Sequence, residues 1–165
     1  MKGQLMLDRM NNRAMRVVYL TASEAQAQGC QVMNVRHLLL ALLREGDGVA
    51  AEALQSFGVT HEGARKLAFG QILPSLNVTV VAPDNDITSL PVHRSPELKS
   101  VFSRTLFEAC NMGHTYIGTE HLLLALISRV GGGNDATTML IQLGAPPDEV
   151  RREVIRLLTG YPPER

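Results

Sequence analysis

The sequence predicts an all-α protein in which two pseudo-symmetric four-helix repeats pack into one eight-helix domain. Two observations lead to this prediction. A nine-residue apolar segment recurs 84 residues later, and apolar residues in both halves follow the helical spacing i, i+3, i+4 and i+7. In addition, only one short segment has the composition of a strand. We therefore expect four helices in each half and almost no sheet.

The repeat is clearest in a leucine-rich segment. Residues 35–43 read VRHLLLALL, and residues 119–127 read TEHLLLALI. After two extra residues in the glycine stretch 131–133, a shift of 86 pairs Leu54 with Leu140. One such unit leaves an apolar face exposed, so the two copies are expected to bury their faces against each other.

The helices follow in order within each copy. The first helix, near residues 14–25 and again near 98–109, has one apolar face and ends before a glycine. In the second copy, Ser95 is expected to cap this helix, with Pro96 at the first helical position. The leucine segment is the second helix and is apolar almost all round, which predicts burial at the centre. Two shorter helices follow, and the last of them begins near Pro147.

The chain divides into two repeats and a connector. Residues 10–69 form the first repeat, 70–94 the connector and 95–161 the second repeat, so that the domain spans 10–161. The connector loses the helical spacing and contains three prolines. Its segment 77–81 (NVTVV) is the one expected strand.

Composition indicates a globular chain and argues against several classes of function. The chain is 45% hydrophobic and 19% charged, which excludes intrinsic disorder. Sixteen Lys and Arg balance sixteen Asp and Glu, so the net charge of zero disfavours binding to nucleic acid or to an anionic membrane. No segment reaches the roughly 18 apolar residues of a membrane span, and the N-terminus is not a secretory signal. We expect a cytoplasmic protein.

Motifs for catalysis and for metal binding are poor. There is no P-loop, and no cofactor is expected. Cys30 and Cys110 are expected to be reduced, buried thiols. Cys110 together with His114 suggests a nucleophile, but no residue type nearby marks an activating partner. His114 and His121 fit core or capping positions better than metal ligation.

The segments around the leucine repeat resemble a known family. Residues 113–126 (GHTYIGTEHLLLAL), and residues 46–51 (GDGVAA) followed by 57–59 (FGV), are similar to the Clp N-terminal domain, the duplicated helical module of the ClpA and ClpC unfoldases. The resemblance covers about residues 10–161. It implies a free-standing, ClpC-like N-domain without the ATPase domains. The partners that it implies are a ClpC-type unfoldase, Clp adaptors, and substrate proteins or peptides, whereas the oligomeric state stays open.

The resemblance also implies a ligand. ClpC-like members hold a phosphorylated arginine in each repeat, whose phosphoryl group needs N–H donors and a cation and whose guanidinium needs a carboxylate. The glutamate of the family's G-T-E-H motif is matched by Glu120, which follows Thr119. In the first repeat, Arg36 replaces this acid.

A second family motif, T-x-R-A, is kept only in part. The first repeat has Asn11 in place of the threonine but keeps Arg13, whereas the second has Ser95 and Glu97 at these two positions. The first repeat then offers two cations, which suits a plain anion, and the second offers two acids, which suits an arginine or lysine side chain. The alternative is that the acids only complement helix dipoles, each by about 0.3 to 1 kcal/mol.

Actinobacterial members of the family also bind cyclic-peptide antibiotics on the apolar surface between the repeats. This surface is matched only in part, because an arginine replaces an expected aromatic residue. The residues at the matching positions are Leu7, Met15, Val18, Tyr19, Arg94, Lys99 and Ser103.

The predicted function is that of a non-enzymatic binding module of the Clp protease system. It captures substrates, adaptors or peptide ligands and acts by delivery, by regulation of ClpC or as a decoy. The alternative is an interaction subunit that docks on ClpC, or on its own copies, without a small ligand. A hydrolase that uses Cys110 or His121 is a third possibility.

Overall fold

The computed structural model describes residues 8–69, 93–128 and 134–160. In these ranges the chain is helical, with two strands of two residues each, which confirms the all-α fold of two pseudo-symmetric four-helix repeats. The helices are α1 (Asn12–Ala27), α2 (Val35–Glu45), α3 (Val49–Ser56), α4 (His61–Phe69), α5 (Pro96–Asn111), α6 (Thr119–Ile127), α7 (Asp135–Gln142) and α8 (Pro147–Thr159). The strands are β1 (Val32–Met33) and β2 (His93–Arg94).

The caps of the first helix of each repeat follow the local sequence. The Asn11 side chain accepts a hydrogen bond from the backbone N–H of the third residue of α1, at 2.9 Å. Ser95 caps α5 in the same way, with Pro96 at the first helical position, as predicted. Both helices are followed by glycines in the left-handed region, Gly29 and Gly113.

The two leucine helices form the centre of the core. Every residue of α6 is buried, and α2 is buried except at Arg36 and Arg44. In each repeat the long first helix packs on the leucine helix, and α2 and α6 contact each other. The predicted central position of the leucine segments is confirmed. Within the described ranges, no helix combines the length and the hydrophobicity needed to cross a membrane.

Short parallel backbone pairs join the two repeats. β1 of the first repeat pairs with β2, which directly precedes α5, and the N–H of Ser95 donates to the carbonyl of Met33 at 2.8 Å. The pair related to it by the pseudo-symmetry joins Met10 of the first repeat to Ile117 of the second. There Asn11 N–H donates to the carbonyl of Ile117 at 2.9 Å, and Ile117 N–H donates to the carbonyl of Arg9 at 2.8 Å. The expected strand at 77–81 lies outside the described residues.

These two junctions define the geometry of the molecule. We call the pairing of residues 9–13 with residues 115–120 seam 1, and the pairing of residues 31–36 with residues 93–97 seam 2. Each seam contains the start of the long helix of one repeat and the start of the leucine helix of the other. The two helix starts of one repeat therefore contribute to different seams.

The cysteines differ in part from the prediction. Both are free thiols, as expected, but Cys110 is exposed and Cys30 is only half-buried. The buried face of α5 runs through Val101, Thr105 and Ala109. Cys110 lies about 100° further round the helix, on the solvent side.

A histidine completes the cap of each leucine helix. The Nδ1 atoms of His37 and His121 accept hydrogen bonds from the backbone N–H groups of Asn34 and Gly118, at 3.0 and 2.9 Å. This is the capping-box role that Glu or Gln usually fills at the third helical position. Burial disfavours the charged ring, and this effect, together with the nearby charge of Arg36, outweighs the attraction of Glu24, so the pKa of His37 is lowered to about 4.

We expect the free energy of unfolding to fall as the pH drops from 7 to 4. The unfolded chain protonates His37 near its ordinary pKa of 6.5, whereas the folded chain does so only near a pKa of about 4. Between these values the unfolded state holds more protons, which weakens folding by up to about 3 kcal/mol at pH 4. Chemical denaturation at a series of pH values measures this dependence.

The matched control is His37→Gln. Glutamine still accepts from the N–H of Asn34 but does not titrate, so the variant should show a flatter pH dependence over this window. All other titrating groups are kept and cancel in the comparison. Equal pH dependence in the two proteins would contradict the role given to His37.

Candidate functional site

Seam 1 unites predicted ligand residues from both repeats. Arg13, at the start of α1, lies in the same seam as Thr119 and Glu120, at the start of α6. Sequence reasoning assigned Arg13 to a site in the first repeat and Glu120 to a site in the second. The structure instead places a cation and an acid in one seam, because the strand pairing crosses between the repeats.

The start of α3 closes one side of seam 1. The guanidinium of Arg13 donates to the backbone carbonyl of Asp47, a neutral acceptor. Next to it, Gly48 packs so closely on Thr119 that a Cβ atom there would lie 2.9 Å from the Thr119 methyl carbon. The hydroxyl of Thr119 accepts from the N–H of Ala50 at 3.4 Å.

Glu120 is a buried acid that forms no ion pair with a Lys or Arg of the described residues. Only 4% of the residue is exposed, and its carboxylate folds back over Gly118, near enough to Tyr116 to raise the pKa of the Tyr116 hydroxyl. Among the described residues, no Lys or Arg lies within 4.0 Å of it. His121 Nδ1 lies 4.0 Å away, but this atom accepts from Gly118 and donates nothing to the acid. An ionised carboxylate in such a place is costly unless a cation reaches it.

The acids at the equivalent interior positions of α1 and α5 are satisfied differently. Glu24 and Glu108 are also buried, but each contacts two basic side chains within 3.5 Å. Burial opposes the ionisation of Glu24, yet hydrogen bonding and charge from its neighbours outweigh this and lower its pKa. The neighbours are His61 and Arg44 for Glu24, and Arg104 and Arg151 for Glu108. Glu120 differs from both in its lack of such partners.

Aromatic rings form a wall beside Glu120. Tyr116 stacks on His114 with ring centroids 5.1 Å apart and planes at 14°, and its ring meets that of His121 edge-on at 5.6 Å. Partial burial and the Glu120 carboxylate raise the pKa of the Tyr116 hydroxyl. Because Tyr116 is 40% exposed, one side of this wall is open to a ligand.

The histidines near Glu120 serve the cap rather than a metal. Ligand atoms of His114, Glu120 and His121 lie within 4.8 Å of one another. However, His121 Nδ1 accepts from Gly118, so the neutral ring carries its proton on Nε2 and donates it to His114 Nδ1 at 2.8 Å. A metal at either nitrogen of His121 would remove the cap of α6 or this bond between the histidines. We therefore assign no metal ligand here.

Seam 2 holds the other residues of the two predicted phosphoarginine motifs, Arg36, Ser95 and Glu97. Arg36 and Ser95 already form hydrogen bonds within the protein. The guanidinium of Arg36 donates from Nε and Nη2 to one carboxylate oxygen of Asp135, at 3.3 and 3.2 Å, and from Nη1 to the carbonyl of Ala68 at 3.2 Å. Ser95 is buried, and its hydroxyl is used as the cap of α5. Glu97 is exposed in the first turn of α5. Arg13 and Arg36 do not face one ligand.

The positions matched to the cyclic-peptide surface are only partly accessible. Val18 is 2% exposed, so it offers no surface to a ligand, and Leu7 lies outside the described residues. Arg94 lies over the ring of Phe102, 5.4 Å from its centroid. The other positions are partly buried Met15 and Tyr19, and exposed Lys99 and Ser103.

Sequence reasoning missed three residues that shape the seams. Tyr116 has a detectable signal, because it is an aromatic residue two positions before the cap of α6. Gly48 and Asp135 act through contacts with residues 71 and 99 positions away, Thr119 and Arg36. No local pattern marks such pairs.

Two interlocked helical repeats, with chemically distinct residues at their seams, define a duplicated helical-repeat domain. The profile of the family described as the Clp repeat (R) N-terminal domain matches residues 9–140. The chain therefore belongs to this family, as the resemblance predicted.

Sequence alignments with related proteins extend over almost the whole of this chain. It is 34% identical over 154 residues to the "Negative regulator of genetic competence ClpC/MecB" of Bacillus subtilis (strain 168), a match that covers 93% of this chain and 18% of that protein. It is 33% identical over 153 residues to the chloroplastic chaperone protein ClpC2 of Oryza sativa subsp. japonica, covering 93% and 16%. The chain spans less than a fifth of the length of these curated relatives.

Solved structures show the same fold. The N-terminal domain of the ClpD chaperone from Arabidopsis thaliana superposes with a TM-score of 0.70 at 23% identity, covering 93% of this chain and 97% of that one. The Hsp104 N-terminal domain from Candida albicans gives a TM-score of 0.66 at 14% identity, covering 92% and 93%. At these identities the likeness concerns the fold alone.

We expect Gly48→Ala to destabilise the protein by about 1 to 3 kcal/mol, because the new methyl group collides with Thr119 at seam 1. Thr119→Ala removes the hydroxyl and methyl groups that meet the new Cβ, whereas a carboxylate oxygen of Glu45 still lies 2.9 Å from it. The double variant should therefore lose less stability than the sum of the two single variants. Urea denaturation of all four proteins measures this coupling. Additive losses would show that Gly48 and Thr119 do not press on each other.

Proposed function

We propose that this chain is a binding module of a Clp-type unfoldase system, and that it captures substrate or adaptor proteins at seam 1 through an arginine side chain. Membership of the Clp repeat family supports the first part. The observation that supports the second is the buried carboxylate of Glu120, which has no basic partner among the described residues. No catalytic step is part of this function.

The guanidinium of the ligand would reach Glu120. A guanidinium presents paired N–H donors that match the two oxygens of a carboxylate, and such charge-assisted bonds are among the strongest in proteins. The exposed ring of Tyr116 provides a face over which the planar cation can lie. Binding would give this carboxylate a cationic partner that no Lys or Arg of the described residues supplies, which is a physical reason for affinity.

Arg13 would bind a phosphoryl group attached to the ligand's guanidinium. Its guanidinium now bonds to the neutral carbonyl of Asp47, and a phosphoryl oxygen is a stronger, charged acceptor. The carboxylate of Glu45 already accepts from the N–H of Gly48 at 2.8 Å at the start of α3, so the phosphoryl group would depend on Arg13 rather than on this helix end. A phosphoarginine side chain would place its two opposite charges on residues of two repeats, so the site would require the assembled domain.

The consequence for proteolysis follows from capture. A module that holds marked proteins can deliver them to a ClpC-type unfoldase, compete with it for them, or sequester them as a decoy. Cyclic-peptide antibiotics are a further candidate ligand at Met15, Tyr19 and Lys99, although the burial of Val18 removes part of that surface.

Docking without a small ligand is the second candidate function. The second repeat exposes large apolar side chains, Phe107 at 53%, Ile141 at 51% and Ile155 at 41%. Exposed apolar residues of this size are typical of protein interfaces. Co-elution of this chain with a purified ClpC-type unfoldase in the absence of peptide would favour this function.

Glu120→Gln should weaken the binding of phosphoarginine and of an arginine-phosphorylated peptide roughly 10- to 100-fold, because one charge-assisted interaction is lost. Glutamine keeps the size of the side chain and one acceptor oxygen but removes its charge. Isothermal titration calorimetry of the wild type and the variant measures the change.

Glu97→Gln is the matched control. Glu97 also lies in the first turn of its helix, but in seam 2 and exposed to solvent, so its loss should leave the affinity unchanged. Equal weakening by both substitutions would mean that only the overall charge matters. Undiminished binding to Glu120→Gln would place the ligand elsewhere.

Arg13→Gln should reduce selectivity rather than all binding. The variant loses the cation for the phosphoryl group but keeps the carboxylate for the guanidinium. We expect the preference for the phosphorylated over the unphosphorylated arginine peptide to fall roughly tenfold or more. Paired titrations with the two peptides measure the ratio, and an unchanged ratio would remove Arg13 from the site.

A further inference from the structure

We infer that the guanidinium of Arg36, bound by Asp135 and Ala68, occupies the place in seam 2 that a ligand's guanidinium would take. The domain then has one arginine-binding site rather than two. The inference rests on the function proposed for seam 1. Under this inference, Arg36 limits the number of arginine ligands that the domain binds to one.

The internal repeat shows why the two seams differ. Arg36 and Glu120 are equivalent positions under the shift of 84, and Asp135 and Val49 are equivalent under the shift of 86. Seam 2 thus has an arginine facing an aspartate, whereas the same two positions of seam 1 hold a glutamate and a valine. An internal ion pair needs both charges, and the sequence supplies both only at seam 2.

The contacts of Arg36 resemble those that a bound arginine would make. Three of its nitrogens donate, two to the carboxylate of Asp135 and one to the carbonyl of Ala68. Asp135 is the first residue of α7, and Ala68 lies in the last turn of α4. The positive end of α7 favours the aspartate, and the negative end of α4 favours the arginine.

The ion pair between Arg36 and Asp135 affects ligand binding at seam 2 rather than the stability of the fold. The side chains of Arg36 and Asp135 are 38% and 67% exposed, and ion pairs in such positions contribute little to folding. The charge of Arg36 nevertheless stands where seam 1 has its acid. An arriving guanidinium would meet a cation at seam 2, and at seam 1 a carboxylate that forms no ion pair with a Lys or Arg of the described residues.

The test is a titration with L-arginine followed by backbone amide NMR. In the wild type, saturable shifts are expected at seam 1, around Gly118, and not at seam 2, around Val35. The double variant Arg36→Glu/Asp135→Val gives seam 2 the charges of seam 1, and saturable shifts are expected at both seams. The control, Arg152→Glu/Asp148→Val, makes the same changes of residue type on α8 and should bind at seam 1 only.

The outcomes separate this inference from the proposed function. Wild-type shifts at both seams, or no gain at seam 2 in a folded double variant, would overturn the inference and leave the proposed function intact. Shifts at seam 2 of the double variant without wild-type binding at seam 1 would support the inference and overturn the proposed function. No saturable shift in either protein would overturn both.

Discussion

The structure depends on one constraint: neither repeat can bury its leucine helix alone. α2 and α6 are apolar almost all round, and a four-helix unit covers only part of such a helix. Burial of a single leucine side chain contributes about 1.5 to 3 kcal/mol, so the apolar area of these helices outweighs the cost of ordering two repeats together. The pairing of α2 with α6 brings the starts of the long helices beside the starts of the opposite leucine helices. The two seams, and with them the candidate site, are consequences of this packing.

The seams have the same backbone but opposite chemistry. Parallel backbone pairs and capped helix starts recur at both, because they come from hydrogen bonds that any residue can make. The side chains differ: seam 1 buries Glu120 with no Lys or Arg of the described ranges as its partner, whereas seam 2 pairs Arg36 with Asp135. A duplicated fold can thus keep its architecture while one copy of a site changes, since the architecture does not depend on the charges that a ligand recognises.

The capping histidines show the same divergence inside the core. In the second repeat, His121 donates its Nε2–H to His114. In the first repeat, Cys30 stands at the position equivalent to His114, with the same backbone bond to the end of the long helix. Within the described residues, the Nε2 of His37 has no hydrogen-bond partner. The backbone cap is kept in both repeats, whereas the second bond of the ring is kept in only one.

The sequence by itself determined the elements and their repetition. Periodicity, the cap at Ser95 and the two leucine segments predict eight helices in two copies, because these are local properties of the chain. The acid at Glu120 was also visible as a motif residue. Only the tertiary structure decided which residues share a seam, since the strand pairs cross between the repeats and join positions more than 60 residues apart. It also decided that Arg36 pairs with Asp135 whereas Glu120 has no Lys or Arg partner among the described residues. Each result depends on side chains that packing brings together, and no local sequence pattern specifies such distances.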